Sequence, residues 1–192
     1  MEKKTINKQN PTFEQAYKIA ELWCKEWEDN LLSEEVLADR VSELVKTNFG
    51  IRGFFAYSLS DKDCSLLDKL PFPLIFKFTE IGNKVVEITV NNLIMSSAQI
   101  INHEKDNNHV LKSNSENIAE RCKGLLRVLD TNLVAENINK ILDCQLVHLV
   151  QLFNQTEQML VGQYLGLQQM FTLLLNTVLT TTQLLIQVEE LH

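Results

Sequence analysis

Glycine is scarce in this chain, six in 192 residues, and no cluster of them could cradle a phosphate through backbone N–H groups. Proline is scarcer still. Its three copies, Pro11, Pro71 and Pro73, leave long stretches with no helix breaker. The four cysteines, Cys24, Cys64, Cys122 and Cys144, form no CxxC pair, which removes the usual sequence signature of a zinc or thioredoxin-like site. No apolar N-terminal segment directs export, so reduced thiols and a cytoplasmic location are expected. Basic residues are outnumbered, 18 Lys and Arg against 25 Asp and Glu, for a net charge of -7. A phosphate backbone is recognised by a basic patch, and these bases are scattered, so nucleic acid is not an expected partner.

What is present is apolar side chains recurring at helical pitch. At about 100° per residue, Val86, Val90, Leu93, Ile94, Ile100 and Ile101 share one face of a helix from Gly82 to His103, with Ser97 inside the stripe where a neighbour could come close. A competing reading makes LIFKFTE and KVVEITV a β-hairpin at residues 74–90 around Gly82-Asn83. The alternation stops at Asn91 while the helical stripe runs on to Ile101, so the helix is favoured.

Residues 1–11 are polar and read as a frayed start. Thr12 and Gln15 then have capping-box spacing, and the helix that follows aligns Phe13, Tyr17, Ala20, Trp23, Cys24, Trp27 and Leu31. Ser33, Glu34 and Glu35 open a second helix with Leu37, Val41, Leu44 and Val45 inward, ending at Asn48 to Gly50. Residues 51–59, with Phe54, Phe55, Tyr57 and Leu59, fit a buried strand or a helix equally well. After His103 the run EKDNNHVLKSNS reads as a mobile loop. Ser115 then caps a helix bearing Ile118, Cys122, Leu125, Leu126 and Leu129, and another begins near Thr131 with Val134, Ile138, Ile141 and Leu142.

Past Cys144 the composition changes to Leu, Gln and Thr, with Glu157 the only charged residue up to Val188. Leu160, Tyr164, Leu167, Phe171 and Leu174 share one face of a long apolar helix, and Gly162 and Gly166 have the GxxxG spacing of close helix contact. Met159, Met170 and Leu173 lie away from that face, so the helix is apolar on two sides and calls for neighbours on both. Gln163, Gln168, Gln169, Asn176 and the threonines interrupt the apolar run, so no transmembrane segment is expected.

The stretches LLSEEVLADRVSELV, GIRGFFAYSLSD, LLDKLPFP, VVEITVNNLIMSSAQIINH and ERCKGLLRVL together resemble a conserved, functionally uncharacterised family of soluble cyanobacterial proteins. The likeness covers Leu31 to Leu142 and is most specific at NNLIMSSA and RGFF. It implies a helical Val85 to His103 segment and no activity.

Chemistry is thinly represented. His103, Glu104, Asp106 and His109 are metal-ligand types at a spacing that matches no established motif, so His103 and His109 are weak metal candidates beside the plainer reading of a solvated loop. Ser96 and His103 lie two helical turns apart and cannot pair on one helix. No catalytic constellation and no cofactor are expected. Tyr17, Trp23 and Trp27 could floor a pocket for a small apolar ligand held between helices, although such a stripe is more often core. The resulting expectation is a mainly α, multi-helix bundle over residues 12–144, followed by a helical arm at 145–192 that packs on the domain or on a partner subunit. The function that fits is interaction or assembly, with the chain itself or another protein as partner; a carrier or sensor of an apolar ligand is the alternative.

Overall fold

The computed structural model describes residues 11–141 and 143. Among them are seven helices and no strand: α1 (Phe13–Glu28), α2 (Glu34–Val45), α3 (Asn48–Ser60), α4 (Phe72–Ile81), α5 (Asn83–Lys105), α6 (His109–Leu126) and α7 (131–141). The bundle expected from periodicity is therefore present, and the hairpin alternative is not. Residues 74–90 run from α4 into α5, separated by Gly82 at φ 64, a conformation glycine adopts without strain. Leu74 and Phe78, then Val86 and Val90, are buried at i, i+4 spacing, so the apparent strand alternation was incidental. The apolar C-terminal helix expected at 145–192 lies outside the described residues.

Local signals set most boundaries. Thr12 and Gln15 form the reciprocal capping box, and the Ser33 hydroxyl accepts from the Val36 N–H. Leu37, Val41, Leu44 and Val45 face inward as their spacing requires. Residues 48–50 do not end α2, however. Thr47 accepts the Gly50 N–H at 3.0 Å, so Asn48 to Gly50 become the first turn of α3.

The segment that composition left undecided, 51–59, is helical and is the hub of the fold. α3 packs against α1, α2 and α6, and Phe54, Phe55, Tyr57 and Leu59 are all buried. Phe54 and Phe55 meet edge to face at 5.3 Å between ring centroids, and both contact Phe78 of α4 at 6.0 and 5.9 Å. Burying a side chain of this size is worth about 1.5–3 kcal/mol. α5, the longest helix, packs chiefly on α6 instead. Val86, Val90 and Leu93 are buried as read, but Ile94, Ile100 and Ile101 are only half-buried, and the small buried residue is Ser96, not Ser97. Similarly, α1 buries Ala16, Ala20 and Cys24, while Phe13 and Leu31 at its ends are exposed.

The largest correction concerns the polar run after His103. It is not a loop. α5 continues to Lys105, Asn107 turns the chain at φ 53, and Asn108 caps α6 by accepting the Leu111 N–H at 3.1 Å. Lys112 reaches back to Glu104 at 2.8 Å and closes the corner. α6 thus starts at His109, and Ser115 is a buried mid-helix residue. Asp130 opens α7 by accepting the N–H groups of Asn132 and Leu133.

α1 and α3 touch where α3 has no side chain. A Cβ built on Gly53 would sit 2.6 Å from the Ala16 Cβ and 2.8 Å from the Tyr17 backbone nitrogen, whereas one on Gly124 meets nothing within 4 Å. Gly53→Ala is therefore expected to cost about 1–3 kcal/mol by forcing the helices apart. Gly124→Ala, in an exposed helical position, should be neutral or stabilising by up to about 1 kcal/mol. Urea denaturation of the two variants checks both signs.

Candidate functional site

Among the described residues, three places bring polar, reactive or exposed apolar groups together. The first lies where α3 ends. The last carbonyls of a helix have no intrahelical donor, and here they are turned toward the protein rather than water. Arg121 of α6 supplies the missing donors: its Nη1 donates to the carbonyls of Ser58, Leu59 and Asp61 at 3.2, 3.0 and 2.7 Å. Its Nη2 donates to the Cys64 carbonyl at 2.7 Å, and Nε and Nη2 grip the Asp68 carboxylate at 2.8–3.2 Å. Only 10% of the Arg121 side chain is exposed. A guanidinium is suited to this post because its planar fork keeps its charge and presents five donors at once.

The same corner holds two thiols. Cys24 of α1 and Cys64 of the 61–71 connection are both without exposed surface. The Cys24 side chain and the Leu66 N–H hold the Cys64 thiol below its ordinary value, and Cys64 together with burial drives the Cys24 thiol above its own. Burial likewise pushes the Tyr57 phenol up, and it pushes Cys122 up to about 12. Glu28 accepts from the backbone N–H and hydroxyl of Ser65 at 2.6 and 2.9 Å, tying the connection to α1.

The second place is an open groove of about 640 Å³ at the surface. Phe13 of α1, Ile51 and Arg52 of α3, and Lys84, Glu87 and Asn91 of α5 contribute to its lining. Opposite charges occur on its wall, and no group there is positioned by another as an acid, base or nucleophile would be. The third is the outer face of α4. Phe72 is 78% and Phe76 56% exposed, one turn apart, while Leu74 and Phe78 are buried on the opposite side.

The residues singled out from the sequence are dispersed by the fold. Tyr17 stands edge-on to Tyr57 at 5.4 Å. Trp23 lies under the Arg40 guanidinium at 5.8 Å, and Arg40 also pairs with Glu26 at 3.3 Å. Trp27 alone lines a cleft, an open one shared with Glu28, Leu31, Leu32, Ser65 and Lys69. The three aromatics thus face three different neighbours. His103 is half-buried near the end of α5 and His109 is the exposed first residue of α6. Among the described residues no three His, Cys, Asp or Glu side chains converge as metal ligands would. Gly162, Gly166, Leu160, Tyr164, Leu167, Phe171 and Leu174 lie outside the described residues.

Arg121, the Cys24–Cys64 pair and the exposed phenylalanines of α4 were not picked out from sequence. The first two depend on partners distant in sequence, 53 to 63 residues away for Arg121 and 40 between Cys24 and Cys64. Phe72 and Phe76 do carry a readable signal: their i, i+4 spacing puts them on one side of a helix whose other side already holds Leu74 and Phe78.

The architecture of the described residues is all-helical, and none of those helices is long and apolar enough to cross a membrane. The chain belongs to the family described as uncharacterised conserved protein UCP020893, whose profile matches residues 12–147. The match begins at the Thr12 cap, earlier than the Leu31 from which the sequence resemblance was drawn, and stops near the change of composition after Cys144. No curated protein and no solved structure matches the chain.

Removing the guanidinium in Arg121→Ala leaves several inward-facing carbonyls and one carboxylate without their donor, and should cost about 3 kcal/mol. Arg121→Lys, a point charge with no fork, is expected to recover less than half of that. Thermal and urea unfolding measure both. Hydrogen exchange should locate the loss at the end of α3.

Proposed function

We propose that this protein is a non-enzymatic helical interaction or assembly protein of the cytoplasm that associates with itself through residues 145–192. The observation that carries the reading is the outer face of α4, where Phe72 and Phe76 present two large rings to solvent. Adjacent exposed aromatics gain nothing from burial in the folded monomer and mark a contact surface.

The occupant argued for is the Leu/Gln/Thr-rich arm of a second copy. α7 leads the chain to that neighbourhood: the Asn137 amide donates to the Asn83 side chain at 2.8 Å, and Leu133 lies against Gly82 at the α4–α5 corner. In sequence the arm follows α7 directly. Its composition, with a single charge between Cys144 and Val188, suits an apolar face and gives no long-range steering of its own. Nothing in the described residues arranges a nucleophile, base and orienting group together, which supports a role in contact rather than in chemistry.

Light scattering of the full chain beside a version ending at Asp143 tests the proposal. The full chain is expected to be a dimer or larger and the shortened one a monomer. Phe72→Ser with Phe76→Ser should weaken association tenfold or more, about 1.4 kcal/mol, without lowering the unfolding temperature, since neither ring is part of the core. Monomers throughout would end the reading.

A further inference from the structure

We propose that the segment from Leu146 to Phe153 docks, as a helix of the same chain, in the groove between α3 and α5. The inference is independent of the self-association argued above: it takes only the start of the arm and leaves the stretch from Leu160 to Leu174 to a second copy. Its basis is the form of the groove and the place at which the chain arrives there.

α5 packs chiefly on α6 and touches α3 only slightly, so the two helices stand as walls with about 640 Å³ between them. Asn48, Arg52 and Ala56 line it from α3, and Lys84, Ile88 and Asn91 from α5. Each set recurs every three or four residues, so both walls follow a helix axis, which is the form of a groove that receives a third helix. Lys84 Nζ donates to the Lys46 carbonyl at 3.3 Å, which brings the starts of α3 and α5 to the same end. The apolar part of the lining is Phe13, Ile51, Ala56 and Ile88, and Phe13 is 41% exposed. Arg52 and Glu87 also line the groove, and neither has an ion-pair partner among the described residues.

α7 delivers the chain to the Lys84 end. Its contacts step from Gly82, beside Leu133, to Asn83, whose side chain accepts from Asn137 at 2.8 Å, and Lys84 is the next residue. Leu146 follows Asn137 by nine residues. A tether that short gives the segment an effective concentration on the order of millimolar at its own groove, which favours it over the same segment of another copy. At about 100° per residue, Leu146, Leu149, Val150 and Phe153 share one face, with Gln145 and Asn154 on its two edges. From Leu146 to Phe153 and from Lys84 to Asn91 are equal spans, each about 10 Å of helix. The segment carries no Asp, Glu, Lys or Arg, so docking sets no like charge against Arg52, Lys84 or Glu87. An edge amide suits such a rim because it accepts from a cation and donates to a carboxylate.

The test places a reporter thiol in the groove of the full chain, as Asn91→Cys, with Cys144→Ser so that the other thiols are the buried Cys24, Cys64 and Cys122. Labelling by a maleimide is followed by mass on the tryptic peptide from Val85 to Lys105. The rate is expected to be about tenfold lower than in the same chain carrying Val150→Asp and Phe153→Asp, because the reagent then waits on undocking. That difference should persist on dilution, since segment and groove belong to one chain. Equal, fast rates in the two chains would overturn the proposal, and so would a slow rate in both, which would mean that something else fills the groove. Protection that fades on dilution would assign the groove to a second copy and overturn it as well. Light scattering of the same chains reads self-association separately: a dimer with a freely labelled thiol removes the docking alone, and a monomer with a protected thiol removes the self-association alone.

Discussion

One guanidinium satisfies the end of the most deeply buried helix. α3 is enclosed by α1, α2 and α6, which makes it the source of most aromatic burial, yet enclosure also removes its last carbonyls from water. An unpaired buried carbonyl costs more than a typical hydrogen bond contributes, so burying α3 is favourable only with donors supplied from elsewhere. Arg121 provides them in a single side chain, and its second edge fixes Asp68 in the following connection. The close crossing of α1 and α3 at Gly53 and the packing of Phe78 against Phe54 and Phe55 both presuppose that α3 is held in this position.

The remaining layers follow from simpler rules. α5 and α6 form a long antiparallel pair whose corner is closed by Asn107, Asn108 and the Lys112–Glu104 ion pair. α2 and α4 pack together and are joined at the surface by Lys77 and Asp39 at 3.1 Å. Exposed pairs of this kind contribute little, and the surface carries several of them. On the face of α4 two exposed aromatic rings, Phe72 and Phe76, stand one turn apart.

Legibility in the sequence followed the range of the interactions. Capping at Thr12, Ser33 and Asp130 is decided within three residues, so the helix starts that follow them, Thr131 included, are legible in the sequence. α3 was ambiguous because a helix buried on several sides loses its period, and a run such as GFFAYSL then looks the same in either conformation. The polar run after His103 misled for the opposite reason. The first turns of α6 face solvent, so their composition resembles a loop although Asn108 caps them as a helix. The aromatic stripe of α1 is legible in the sequence, but the separate neighbours of its members, Tyr57 for Tyr17, Arg40 for Trp23 and an open cleft for Trp27, are not. Contacts between distant positions, such as Glu28 with Ser65 or Arg121 with the end of α3, leave no periodic trace in a single sequence.

The separation between Arg121 and its partners has a bearing on how the chain comes to be folded. Ser58 and Arg121 are 63 positions apart, so a ribosome-bound chain exposes the complete α1–α3 unit long before its closing clasp has been translated. In that interval the aromatic helix can pair with α1, but its tail is left unclasped and the 61–71 connection has no tether at Asp68 or at the Cys64 carbonyl. Commitment of the first half of the bundle therefore waits on the synthesis of α6, a delay written into the topology rather than into any one helix's own propensity.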